Sequence, residues 1–244
     1  MGTNTNSLTA SRILTALSQG TMEMKGLLPW GSNYTFLVHI QHEDLTVPAV
    51  YKPVRGERPL WDFPDGTLFK REVAAYVVSE SLGWGFVPPT VGRDGLEGPG
   101  SVQFFVDADP EEHYFNFDEA QKAPLKRIVA YDLLVNNADR KAGHVLRGRQ
   151  GEIWAIDHGL CFHADSKLRT VIWDFAGRPI PADIHQAIRR FRGQLGDSSE
   201  LTGLLGQLID REEITALRHR ADRFLKLDCF PQPGPGRHYP WPPL

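Results

Sequence analysis

Strand-like patterns crowd the first 107 residues of this chain, and helical periodicity dominates the remainder. That order, strands first and helices later, predicts an α+β protein. Residues 34–40 and 47–52 are rich in aromatic and β-branched side chains, and the polar break Gln41-His42-Glu43-Asp44 separates them. Together they predict a hairpin whose second strand ends at Lys52. A further strand is predicted over 101–107, between Gly98-Pro99-Gly100 and Ala108-Asp109-Pro110, and another over 153–156. Helical spacing marks 13–17, with Gly20 as a stop, and 68–82, ended by Gly83 and Gly85. Four later helices are expected over 117–135, 182–191, 199–209 and 210–227, with Ser199 and Asp210 as caps.

The expected division is an N-terminal lobe over 1–107, a helical C-terminal lobe over 108–230 and a proline-rich tail over 231–244. The tail should be irregular, lying against its own fold or staying loose rather than docking on a partner. At 244 residues and 41% hydrophobic content the chain has the material for a large core, which excludes a disordered protein. A net charge of -3 supplies no basic field to recommend nucleic acid or an anionic membrane as a partner. Cys161 and Cys229 are the only cysteines, too few for a disulfide framework or a zinc finger, so a reducing cytoplasm is expected. No apolar run approaches the roughly 20 residues that span a bilayer, so no membrane anchor is evident, and Met1-Gly2-Thr3-Asn4-Thr5 lacks the regions of a signal peptide.

Four segments carry residues suited to chemistry. Gly31, Ser32 and Asn33 enter the first strand of the hairpin as a small polar turn, able to present backbone N–H groups to a phosphate. Lys52 ends an apolar strand and Glu72 lies on the next helix, an arrangement in which a carboxylate orients an ammonium held at phosphate. The predicted helix ending near Val135 runs straight into Asn136-Asn137-Ala138-Asp139-Arg140-Lys141-Ala142-Gly143-His144, too polar to be core. There Asp139 can orient or accept a hydroxyl proton, Arg140 and Lys141 can offset developing charge, and His144 can hold a metal. Finally, the strand at 153–156 delivers Asp157 immediately before His158-Gly159, a geometry that suits a metal-binding carboxylate at a sheet edge. The histidines have no H-E-x-x-H spacing, which weighs against a hydrolase metal centre.

In this order the motifs resemble the phosphatidylinositol 3- and 4-kinase superfamily, closest to the type II phosphatidylinositol 4-kinases, over about 30–162. Gly31-Ser32-Asn33-Tyr34-Thr35-Phe36 is similar to the family's phosphate loop and Val50-Tyr51-Lys52-Pro53 to its lysine strand. Arg71-Glu72-Val73-Ala74-Ala75-Tyr76 resembles its glutamate helix, and Val87-Pro88-Pro89-Thr90 the exit from it. Ser101-Val102-Gln103-Phe104-Phe105-Val106 resembles the hinge, Asp139-Arg140 the catalytic pair and Ala155-Ile156-Asp157-His158-Gly159-Leu160 the metal-binding segment. The resemblance implies a two-lobed kinase-like fold with ATP and Mg2+ or Mn2+ in the cleft. It also implies adenine held near Phe105 and Val106 above Ile156, phosphates on Lys52, Asp139 as catalytic aspartate, and Asp157 on the metal. Where the family carries Asn, five residues after Asp139, this chain has His144. Imidazole favours Mn2+ over Mg2+, and a free histidine would lose its ligand role below about pH 6.5. The cysteine cluster that anchors type II lipid kinases is missing. The expected acceptor is therefore a protein or small soluble molecule, with a phosphoinositide or a catalytically silent nucleotide-binding module as alternatives.

Overall fold

The computed structural model describes residues 9–28 and 33–244 and divides the secondary structure between two sheets and seven α-helices. Helix α1 (Ala10–Gln19) precedes five antiparallel strands: β1 (Thr21–Leu27), β2 (Phe36–His42), β3 (Leu45–Pro53), β4 (Thr90–Gly95) and β5 (Gly98–Phe104). They lie in the order β1-β2-β3-β5-β4, with α2 (Leu68–Leu82) inserted between β3 and β4. A second sheet joins β6 (Ala108–His113), β7 (Val145–Gly148) and β8 (Ile153–Ala155) in that order. The remaining helices are α3 (Glu119–Lys122), α4 (Lys126–Val135), α5 (Ala182–Gly193), α6 (Glu200–Leu205) and α7 (Arg211–Phe224).

The α+β class, the β2–β3 hairpin and α2 match the sequence expectation, and the departures have local causes. β1 buries only Met22 and bulges near Gly26, so it carries no clean alternation. Gly98-Pro99-Gly100, expected as punctuation, opens β5 instead, because β4 and β5 form a hairpin with Gly95 opposite Gly98. Gly100 is required there: a Cβ would sit 2.4 Å from the Lys52 carbonyl oxygen. The expected helix over 117–135 is broken into α3, a 3-10 turn and α4, since Pro124 cannot donate within a continuous helix. Asp210 and Glu213 form the reciprocal capping box that starts α7.

Two apolar clusters hold the molecule together. The smaller packs Ile13 and Leu17 of α1 against Val38, Ile40, Val47 and Tyr51 of the first sheet. The larger joins Ala74, Val78 and Leu82 of α2 to α4, α5, α7 and the second sheet. Helix α2 therefore bridges both halves. Arg71 fixes it: buried, it pairs with Glu213 of α7 at 2.7 Å and donates to the Cys161 carbonyl at 2.7 Å. The loop between β3 and α2 reaches across as well, through Asp62 with Lys167 at 2.9 Å and Phe63 edge-on to His163. In the same loop Trp61 stands 92% exposed. Residues 231–244 contain no helix or strand and lie against the fold.

Candidate active site

Lys52 leaves the end of β3 and points at two carboxylates that the chain separates widely. Its ammonium pairs with Glu72 of α2 and with Asp157, the latter at 3.0 Å. The second Glu72 oxygen accepts the His158 backbone N–H at 2.9 Å, so one buried carboxylate ties the lysine strand to the Asp157 turn. Both carboxylates raise the Lys52 ammonium pKa against the burial that would lower it. Desolvation would raise the Asp157 carboxyl, yet Lys52 and His144 beside it hold it well below the usual carboxylate range. Asp157 adopts φ 59°, in the left-handed region, and its side chain is 47% exposed in the cleft. A non-glycine residue held there is strained, a condition that concentrates at functional sites.

His144 closes the other side. Its Nε2 lies 3.2 Å from Asp157 Oδ2, and its Nδ1 faces the Lys141 backbone N–H at 3.4 Å. Burial pushes its pKa down to about 4, helped by Arg140, Lys52 and Lys141, so the ring is neutral near pH 7. The expectation that acid would silence this ligand near pH 6.5 is thereby corrected. A neutral imidazole and an ionised carboxylate this close fit one divalent cation. Among the described residues no group of three or more His, Cys, Asp or Glu converges, so a cation held here would take its further ligands from phosphate oxygens or water.

Asp139 sits in the loop between α4 and β7, its backbone N–H held by Asn137 Oδ1 at 2.9 Å. Burial raises its carboxyl to about 6, partly offset by Lys141, whose Nζ is 3.7 Å away, and by Arg169. Arg140 is placed differently from the expectation. Its side chain is 0% exposed, and the guanidinium meets Asp132 of α4 through two nitrogens, at 2.9 and 3.0 Å. It also donates to the carbonyls of His144 and Ile156 and contacts His158 Nε2 at 2.7 Å. Arg140 is thus the strut between α4, the Asp139 loop and the Asp157 turn, and it has no face toward the cleft. Burial and the neighbouring Arg140 keep His158 neutral, with its pKa well below the usual value.

The segment expected to act as the hinge spends part of its backbone on the protein itself. The Phe105 N–H already donates to the Pro48 carbonyl at 3.0 Å. Among the described residues the Val106 N–H and the Phe105 carbonyl have no backbone partner. Half-buried Ile156 follows β8, with its N–H on the His144 carbonyl at 3.0 Å. Asn33 accepts the Arg58 N–H at 2.9 Å, whereas Gly31 and Ser32 lie outside the described residues. Sequence reasoning assigns nothing to Asp132, and counts His158 only with His144, Asp157 and His163 in the disfavoured hydrolase metal centre. A carboxylate on the apolar side of a helix ending in a polar loop is the available signal for the first, since such a group needs a buried partner.

Set against known proteins, the chain is 40% identical over 261 aligned positions to Protein Rv2133c of Mycobacterium tuberculosis, covering 93% of both chains. The chain belongs to that protein's family. A weaker match, 32% identical over 137 positions, links 45% of the chain to 23% of phosphatidylinositol 4-kinase gamma 4 of Oryza sativa. No family model matches. Among solved structures, the Golgi casein kinase determined with Mn/ADP bound superposes with TM-score 0.56 at 15% identity, covering 88% of this chain and 74% of its own. The proinflammatory kinase CtkA of Helicobacter pylori gives 0.53 at 12% identity, covering 88% and 94%, and hydra Fam20 with sugar 0.56 at 14%, covering 89% and 88%. The fold is that of the two-lobed protein-kinase-like proteins. No helix among the described residues is long and apolar enough to cross a membrane.

Proposed function

We propose that this chain is an ATP-dependent phosphotransferase acting on a protein or small soluble acceptor, and that it shares ancestry with the phosphatidylinositol 4-kinases. The observation that carries the reading is the convergence of Lys52, Glu72 and Asp157 through ion pairs and of His144 on the same Asp157. In this reading Lys52, oriented by Glu72, holds the ATP phosphates, with the segment Gly31-Ser32-Asn33 as the phosphate loop that the sequence suggests. The Val106 N–H and Phe105 carbonyl take the adenine edge, and Ile156 supports the ring. His144 and Asp157 hold Mg2+ or Mn2+, which supplies charge neutralisation on the phosphates.

Asp139, with a carboxyl near 6, orients the acceptor hydroxyl and receives its proton. The acceptor oxygen bonds to the γ-phosphorus, the bond to the bridging oxygen breaks, and ADP carries that electron pair away. Lys141 stands beside Asp139 to offset charge on the transferred group. Arg140 positions the loop rather than touching the reacting atoms.

The test incubates purified protein with γ-labelled ATP and either metal, reading label transfer to protein, to soluble hydroxyl compounds and to phosphoinositide vesicles. Lys52→Ala and Asp139→Asn serve as controls. A second reading, a nucleotide-binding module without turnover, is favoured by His144 standing where the resembling kinases carry Asn. ATP binding with neither transfer nor hydrolysis under either metal would establish that reading and overturn the first.

A further inference from the structure

The proline-rich segment 238–243 touches the two stretches of chain that frame Asp139. The His238 carbonyl accepts the Thr170 N–H at 2.9 Å, and the Pro243 carbonyl accepts the Ala142 N–H at 2.9 Å. Thr170 in turn lies in a parallel bridge with Arg140: the Arg140 N–H donates to Arg169 and the Val171 N–H to Arg140, at 3.0 and 3.1 Å. The catalytic loop is thus one lane of a layered arrangement whose outer lane is the tail. Pro240 is buried, and the His238 ring meets Trp173 edge-on.

Within the Asp139 loop several other backbone donors have partners outside the tail. Asp139 uses Asn137, Arg140 uses Arg169, and His144 uses the Lys141 carbonyl. Ala142, fully buried, has only Pro243 among the described residues. The segment His238-Tyr239-Pro240-Trp241-Pro242-Pro243 suits that task, because three prolines remove donors and leave carbonyls. Proline also restricts φ, so less conformational freedom is lost when the segment docks.

We propose that residues 238–243 are a positioning element of the phosphoryl-transfer site, setting the Lys141–Ala142 backbone so that Asp139 and Lys141 face the acceptor. The inference rests on the phosphotransferase reading above. It assigns the segment a role in turnover and none in nucleotide binding, since Lys52, Glu72 and the hinge lie elsewhere.

The test compares the full chain with a chain stopped after Gly234 and with the full-length variant Ala142→Pro. The variant deletes the single donor at a first-turn position preceded by extended Lys141 (φ -90°, ψ 166°), a backbone that accepts proline. ATP affinity by calorimetry, kcat and KM from ATP turnover, and unfolding midpoints are measured for all three. The expected result is a fall in kcat of about tenfold or more in both variants, with ATP affinity within about threefold. Adding the peptide of residues 235–244 should restore part of the stopped chain's rate. Should the stopped chain not fold, Ala142→Pro decides alone. A folded variant with the parent kcat, or with ATP affinity falling in step with rate, overturns the proposal. An inactive parent defeats the underlying reading instead.

Discussion

Glu72 accepts the His158 backbone N–H at 2.9 Å with the carboxylate oxygen that Lys52 does not occupy. One side chain of α2 therefore sets both the ammonium and the turn that aims Asp157. The two duties are separable, because an amide keeps the acceptor while losing the charge.

Replacing Glu72 with Gln should leave folding stability nearly intact and weaken ATP binding. Glu72→Ala should also leave the His158 N–H unsatisfied, lowering the unfolding free energy by about 1–3 kcal/mol. Urea denaturation and calorimetric ATP titration of the two variants separate the effects. Equal stability loss in both would mean that the His158 contact contributes nothing.

Arg140 should behave as a structural residue. Arg140→Met strands Asp132 in the core and is expected to cost about 3–5 kcal/mol. The double variant with Asp132→Leu should recover a large part of that loss. Equilibrium denaturation checks both, and a stable Arg140→Met with lost turnover would return the side chain to the chemistry.

Acid should act through Asp139, not His144. A carboxyl raised to about 6 is protonated below that value and cannot receive the acceptor proton, so kcat/KM is expected to fall as pH drops through about 6. Lys141, Asp157 and Arg169 are the charges that tune it. His144, near 4, stays neutral across this range, so His144→Asn should leave the limb in place. The residual rate of Asp139→Asn should be flat over the same interval. Rate profiles between pH 5 and 8, roughly the range in which carboxylates and histidines of this kind titrate, settle the matter.

Metal preference should report on His144 instead. The parent is expected to favour Mn2+, and His144→Asn to move the ratio of rates towards Mg2+, since a carbonyl oxygen is the harder donor. Unchanged ratios in the variant would remove His144 from the ligand set.

The sequence makes legible what depends on local order. Lys52 at a strand end, Glu72 on the following helix and Asp157 before a glycine are positions that periodicity and turn chemistry specify, and the structure brings all three together. The place of Arg140 is not legible, because Asp132 and Arg140 meet only once α4 ends at left-handed Asn136 and the chain doubles back. β1 and β4 are invisible because their stability comes from pairing, not from an apolar face of their own. Where the tail docks is hidden for a related reason: its carbonyls carry the contact, and no side-chain pattern announces a backbone acceptor.

The buried pair of Arg71 and Glu213 bears on how such a protein could be controlled. Arg71 precedes Glu72, so swinging the glutamate away from Lys52 would pull a guanidinium out of its ion pair with α7. At about 3–5 kcal/mol for parting a buried pair, the swung-out form would make up less than about one per cent of molecules. An off-switch that works by displacing α2 would have to supply that free energy from outside, through a ligand or partner that holds the displaced form. Left to itself the chain rests with its lysine and glutamate already joined.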